Sequence, residues 1–139
     1  MKSIGHPLFK LSIITLIFLF SSCDYFFPPL SGDRIPVKEA YNFLRKHSDD
    51  KDIVILDVRS KKEYDEFHLR SSILLDYKET SFPAEIEKLD RSKRYLIFSR
   101  GSTESFNTLE LMMELKFSRV HAVTGGIDEW KKENLPDTF

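Results

Sequence analysis

Apolar and polar positions change rhythm several times along this chain, and the changes mark its elements. In IPVKEAYNFLRKH the apolar residues Val37, Ala40, Tyr41 and Leu44 fall on one helical face, with Pro36 near the start. Ile53 to Leu56, IVIL, is β-branched and apolar on both faces, the pattern of a buried parallel strand. SKKEYDEF predicts a short helix, and SILLD, around Ile73 to Leu75, a second strand. PAEIEKL, from Pro83, predicts a short helix with Ile86 and Leu89 inward, and RYLIF, Arg94 to Phe98, a third strand. TESFNTLELMMELKF places Phe106, Leu109, Met112 and Met113 on one face of a longer helix. RVHAV predicts a fourth strand; Gly125-Gly126 then turns the chain into IDEWKKE, with Ile127 and Trp130 inward.

Strands separated by helices imply an α/β fold, a mostly parallel sheet with helices on both faces. Ligands on such sheets sit at the C-terminal ends of the strands. The loop after RYLIF, from Ser99 to Ser105, lies at one such end and is the best site candidate by position.

Composition narrows the classes. With 139 residues, 41% hydrophobic and 31% charged, the chain suits one globular domain, here placed at residues 34–139. A net charge of −1 gives no footprint for nucleic acid. One cysteine allows no disulfide within the chain, and four scattered histidines show no metal-ligand spacing, so neither a metal nor another cofactor is expected.

The N-terminus stands apart. Lys2 and Lys10 precede and flank the uncharged run LSIITLIFLF, which Asp24 ends too early for a membrane span of about 20 residues. Residues 1–22 therefore read as a signal peptide, with an uncleaved anchor helix as the alternative. Ser21 and Ser22 before Cys23 resemble the lipobox of bacterial lipoproteins, although Phe20 stands where that motif usually has Leu. The resemblance implies cleavage before Cys23 and lipidation of its sulfur, with enough acyl chains for stable attachment. It places the domain in the cell envelope, outside the cytoplasm, anchored to a bacterial membrane. Residues 23–33 read as a tether, stiffened by Pro28-Pro29 and loosened by Ser31-Gly32.

From about Asp33 onward the chain resembles the rhodanese-like family, through three motifs in order. In LDVRSKKEYDEFHLRSSILL, the residues Asp57, Val58, Arg59, Glu63, Tyr64 and His68 match the family's first signature, while Phe67 stands for Gly and Leu69 for Ile. YLIFSRGSTES resembles the strand and active-site loop. RVHAVTGGIDEWKKENLP resembles the closing signature, with Gly125, Gly126, Ile127, Trp130, Leu135 and Pro136 matching. The resemblance implies a loop in which a cysteine thiolate carries sulfur as a persulfide, wrapped by backbone N–H groups and helped by an arginine. On this sequence the cysteine position falls on Ser99; Arg100 and Ser105 match, Gly101 and Ser102 are in swapped order, and Glu104 stands where many members have Arg.

Chemistry then weighs against catalysis. Serine cannot hold a persulfide, and its hydroxyl is scarcely ionised without a base. A serine nucleophile needs a histidine held by a carboxylate. His68 matches a structural position and is expected to be packed and hydrogen-bonded; His121 lies mid-strand in VHAV, facing the core or an edge. Asp57 and Arg59 are expected to orient loops through a salt bridge. The loop can still hold a small anion, because N–H groups ahead of a helix form a positive nest and Arg100 adds charge. Glu104 opposes this, and with Ser102 or Thr103 as cap the loop reads first as a plain helix start with no ligand. Three functional readings remain open: a binding or scaffolding module with an envelope protein partner, a thiol-independent enzyme or anion binder using Ser99 to Ser105, and a subunit that works with an active partner.

Overall fold

A computed structural model describes residues 33–139. Five strands alternate with five helices: β1 (Asp33–Pro36), α1 (Val37–Lys46), β2 (Ile53–Asp57), α2 (Lys61–Glu66), β3 (Ile73–Leu74), α3 (Phe82–Glu87), β4 (Arg94–Phe98), α4 (Thr103–Glu114), β5 (Val120–Thr124) and α5 (Gly126–Lys132). All strand pairs are parallel, in the order β1-β5-β4-β2-β3. The α/β class and the covered parallel sheet expected from the sequence are what the chain forms.

The sheet separates two cores because successive side chains on a strand point to opposite faces. Leu96 and Phe98 of β4 pack with Phe43 and Leu44 of α1 and with Ile127 and Trp130 of α5. Tyr95 and Ile97 pack on the other face with Ile86 of α3 and with Leu109 and Met112 of α4. β4 is central and buried on both faces from Tyr95 to Phe98, which is why YLIF is apolar without alternation. Trp130 seals the first face: its ring meets Phe98 edge-on at 5.5 Å, and its Nε1 donates to the Pro136 carbonyl at 3.2 Å.

Two details correct the sequence reading. The sequence pattern places the tether at residues 23–33 and a helix in the segment that starts at Ile35, yet Asp33–Pro36 is a strand, paired from Asp33↔His121 to Pro36↔Thr124. Pro36 is tolerated there because β1 is an edge strand, and it sits as the N-cap of α1. In α4 the buried positions are Ser105, Thr108, Leu109 and Met112, whereas Met113 is exposed and Phe106 half-buried. Counting only apolar residues missed Ser105 and Thr108. The Thr108 hydroxyl donates to the Glu104 carbonyl at 2.7 Å and so can be buried. In α1, likewise, Phe43 takes the core place expected of Tyr41, which is half-buried.

The signal peptide, Cys23 and the tether up to residue 32 lie outside the described residues. Among the described residues no helix is long and apolar enough to cross a membrane.

Candidate functional site

β4 delivers the chain to Ser99 at the C-terminal edge of the sheet, and the next residues form the loop into α4. The peptide orientations of this loop are set from below by α5. Ile127 and Asp128 donate their N–H groups to the carbonyls of Ser99 and Arg100, at 2.9 and 3.0 Å. Between them sits Gly126, at φ +54°, where a Cβ would collide with the carbonyl oxygens of Ser99, Arg100 and Gly101. A trans peptide points its carbonyl and its N–H in opposite directions. With the carbonyls of Ser99, Arg100 and Gly101 turned to α5, the N–H groups of Arg100, Gly101 and Ser102 face the other way.

The start of α4 continues this row. Its hydrogen-bond ladder begins with Phe106 N–H to the Ser102 carbonyl, at 3.0 Å, so the N–H groups of Thr103, Glu104 and Ser105 precede it. The sequence suggested Ser102 or Thr103 as the cap. Ser102 does sit at the N-cap, but its side chain caps nothing. Its Oγ instead accepts from the Gly125 N–H at 2.9 Å, tying the loop to the Gly-Gly turn. Thr103 is an exposed first helical residue, and no side-chain bond from Glu104 closes the end either.

Ser99 is wholly buried. Its hydroxyl donates to Ser105 Oγ at 3.2 Å, and Ser105 donates to the Ser102 carbonyl at 3.0 Å. The chain of donors ends on a backbone oxygen, with no base in it. His121 is buried in β5, paired in register with Leu96, three residues or about 10 Å of strand before Ser99. Burial, aided by the nearby Arg94 charge, lowers its pKa to about 4. His68 is hydrogen-bonded as expected, its Nδ1 2.9 Å from the Tyr64 carbonyl, but it is exposed and packs only by stacking on the Tyr64 ring. Neither histidine is a hydrogen-bond partner of Ser99.

Beside the loop opens a cleft of about 340 Å³, lined by Arg59, Glu63, Asp76, Tyr77, Arg100 and Glu104 among others. Arg100 is largely exposed; its Nε lies 3.4 Å from Asp128 and 3.9 Å from Glu63. Glu63 is fixed by a capping box with Ser60, whose hydroxyl donates to it at 2.6 Å and holds the carboxyl below its ordinary pKa. The floor carries the salt bridge foreseen from the sequence. Arg59 Nη2 meets Asp57 Oδ2 at 2.7 Å and the Phe67 carbonyl at 2.6 Å, with both side chains buried. Phe67 itself has φ −166° and ψ 132°, extended backbone open to any residue, so the departure from glycine is no strain. Its ring packs against the core under the Lys131 ammonium.

The structure thus brings Arg100 and Glu104 together at the cleft and withdraws Ser99 and Ser105 beneath it. Sequence reasoning missed the cleft's second wall, Asp76 to Lys78, because no motif marks the turn after β3. It also missed the role of Gly126 beneath the loop, although the Gly-Gly pair was the signal for a close approach. Among the described residues no group of three or more histidine, cysteine, aspartate and glutamate side chains stands ready to hold a metal ion.

The rhodanese-like domain profile matches residues 41–133, from α1 through the loop to the end of α5. The chain belongs to the rhodanese-like family. Its relatives include a protein named thiosulfate sulfurtransferase GlpE from Coxiella burnetii, 29% identical over 93 residues that cover 67% of this chain and 81% of the relative. A GlpE of Actinobacillus pleuropneumoniae is 26% identical, covering 59% of this chain and 74% of its own. Among solved structures, a rhodanese-related protein of Thermoplasma volcanium superposes with a TM-score of 0.61 at 25% identity, covering 75% of this chain and 95% of that one. The rhodanese-like domain of an Anabaena protein shares the fold, with a TM-score of 0.61 at 20% identity over 79% of this chain and 78% of that one. The rhodanese-like match contains the whole Ser99 to Ser105 loop.

Proposed function

We propose that this chain is a rhodanese-like binding domain that carries no sulfur, and that its loop holds a small oxyanion through backbone N–H groups. One observation carries the reading: the Ser99 hydroxyl is buried and committed to Ser105, beneath a row of N–H groups that no side chain caps. Sulfur transfer needs a thiolate that attacks a donor and holds the sulfur as a persulfide. An alcohol forms no such species, and without a base Ser99 is no alternative nucleophile. Anion binding needs only donors, and the loop and α4 supply them at the positive end of a twelve-residue helix.

The proposal extends to the N-terminus: the segment around Cys23 supports a lipid anchor in a bacterial envelope, with the domain outside the cytoplasm, where a protein partner would meet it. The test uses the full chain purified in detergent. It should produce no thiocyanate from thiosulfate and cyanide, while sulfate should shift the amide signals of Arg100 to Ser105. Turnover by the wild-type chain would overturn the proposal. Metabolic labelling with palmitate, lost in Cys23→Ala, tests the anchor separately.

A further inference from the structure

The cleft beside the loop offers an unspent guanidinium donor on its floor and, on its walls, carboxylates that pair with no cation among the described residues. The positive part lies on its floor. The Arg59 side chain is only 4% exposed and spends its Nε and Nη2 on Asp57 and the Phe67 carbonyl. Its Nη1 takes part in none of these bonds, and Arg59 lines the cleft. A buried guanidinium with one amine left over is a donor waiting for an acceptor. It stands beside the loop whose N–H groups precede α4, and two residues of that loop, Arg100 and Glu104, line the same cleft.

The negative part lies on the walls. Glu104 is half-buried in the first turn of α4 and makes no ion pair among the described residues. Among the described residues Glu66 of α2 makes none either, and the Asp76 carboxylate accepts only from the Lys78 N–H, at 3.0 Å. Lys62 and Lys78 also border the cleft, but both are exposed on long flexible stems, so their ammonium groups stay with solvent. Glu104 stands on a shorter stem and is half-buried beside the loop. A simple anion seated on the loop therefore meets a carboxylate beside it. An anion that carries its own ammonium group turns that repulsion into a contact.

The geometry points to a small zwitterion as the ligand of this cleft: an oxyanion head on the loop, Arg59 and Arg100, with an ammonium group a few bonds away against Glu104 and Asp76. Amino-sulfonates and amino-carboxylates are the matching class, and 340 Å³ is room for one such molecule. The inference rests on the anion-holding reading of the loop and adds the cation subsite to it.

Three probes separate the two claims in the full chain held in detergent micelles: sulfate, ethanesulfonate and 2-aminoethanesulfonate. The readouts are the amide signals of Arg100 to Ser105 and the side-chain Nε–H signal of Arg59. The aminated sulfonate should saturate these shifts at a concentration about five-fold lower than ethanesulfonate, the size of one partly screened ion pair. Glu104→Gln should bring the two sulfonates level, mainly by weakening the aminated one relative to the other. Equal binding in the wild-type chain, or an undiminished preference in Glu104→Gln, would overturn the zwitterion subsite and leave the anion site standing. Failure of all three probes to move the loop would overturn both.

Discussion

The Oγ of Ser99 stands 3.2 Å from the Oγ of Ser105, and neither side chain reaches solvent. This pair fixes the loop internally: one hydroxyl proton goes to its neighbour, and the neighbour's proton goes to the Ser102 carbonyl at 3.0 Å. Ser105→Ala removes both bonds and leaves the buried Ser99 hydroxyl unserved, while the Ser102 carbonyl keeps the Phe106 N–H. The expected cost is about 1–3 kcal/mol, read from the urea midpoint. A change within error would show that water replaces the serine.

Ser99→Cys supplies the missing thiol at the end of β4. The uncapped N–H row that follows it lowers the thiol pKa and stabilises thiolate. Thiocyanate formation should appear in Ser99→Cys and rise further in Ser99→Cys/Glu104→Arg, because Glu104 repels a dianionic donor. A mass spectrum with 32 Da added to the thiosulfate-treated variant would mark the persulfide. No activity and no adduct would mean that the loop geometry does not support sulfur transfer.

Gly126→Ala tests how α5 holds the loop. The added methyl meets the carbonyl oxygens of Ser99, Arg100 and Gly101, all backbone atoms that cannot swing away, at a φ of +54°. The expected loss is about 3 kcal/mol or more, with the amide signals of Arg100 to Ser102 displaced. Gly101→Ala is the control: nothing lies within 4 Å of a Cβ there, and stability should stay within about 0.5 kcal/mol.

Asp57→Asn leaves the Arg59 charge buried without its counter-ion. The expected cost is about 3–5 kcal/mol by chemical denaturation. Adding Arg59→Met should recover part of it, since the partner charge then leaves too. No recovery would show that Arg59 holds the chain mainly through the Phe67 carbonyl.

His121 makes stability depend on pH. Its pKa falls from 6.5 to about 4 on folding, through burial first and the Arg94 charge second. The unfolded chain therefore binds the proton more readily, and protonation favours unfolding. The contribution of the neutral ring is complete above about pH 6.5 and is lost as pH falls from there toward 4. Thermal midpoints of the wild type should fall by several degrees over that interval, more than those of His121→Phe. Parallel curves would show that carboxylates alone set the acid limb.

The order of strands and helices was legible because each buried strand is a short apolar run and each helix carries a period near 3.6. What escaped notice was decided by contacts between distant segments. β1 has little pattern of its own, four residues of mixed character, and is a strand because β5 lies beside it. The polar pair Ser105 and Thr108 faces the core because their hydroxyls find carbonyls one turn back, which apolar counting does not see. At the site, the motif residues located the loop and flagged Ser99 and Glu104. The sequence could not tell that Ser99 is withdrawn beneath the cleft while Arg100 and Glu104 border it. That separation follows from the carbonyls of Ser99 and Arg100 turning toward α5, a bond made across residues far apart in the chain.

The place of β1 in the sheet has a consequence for how the domain meets its surroundings. Being parallel to its neighbours, β1 enters the sheet at Asp33, level with Leu96 in the middle of β4 and three residues short of Ser99. On a chain anchored ahead of Asp33, the point of attachment would thus lie about 10 Å of strand below the loop that borders the cleft.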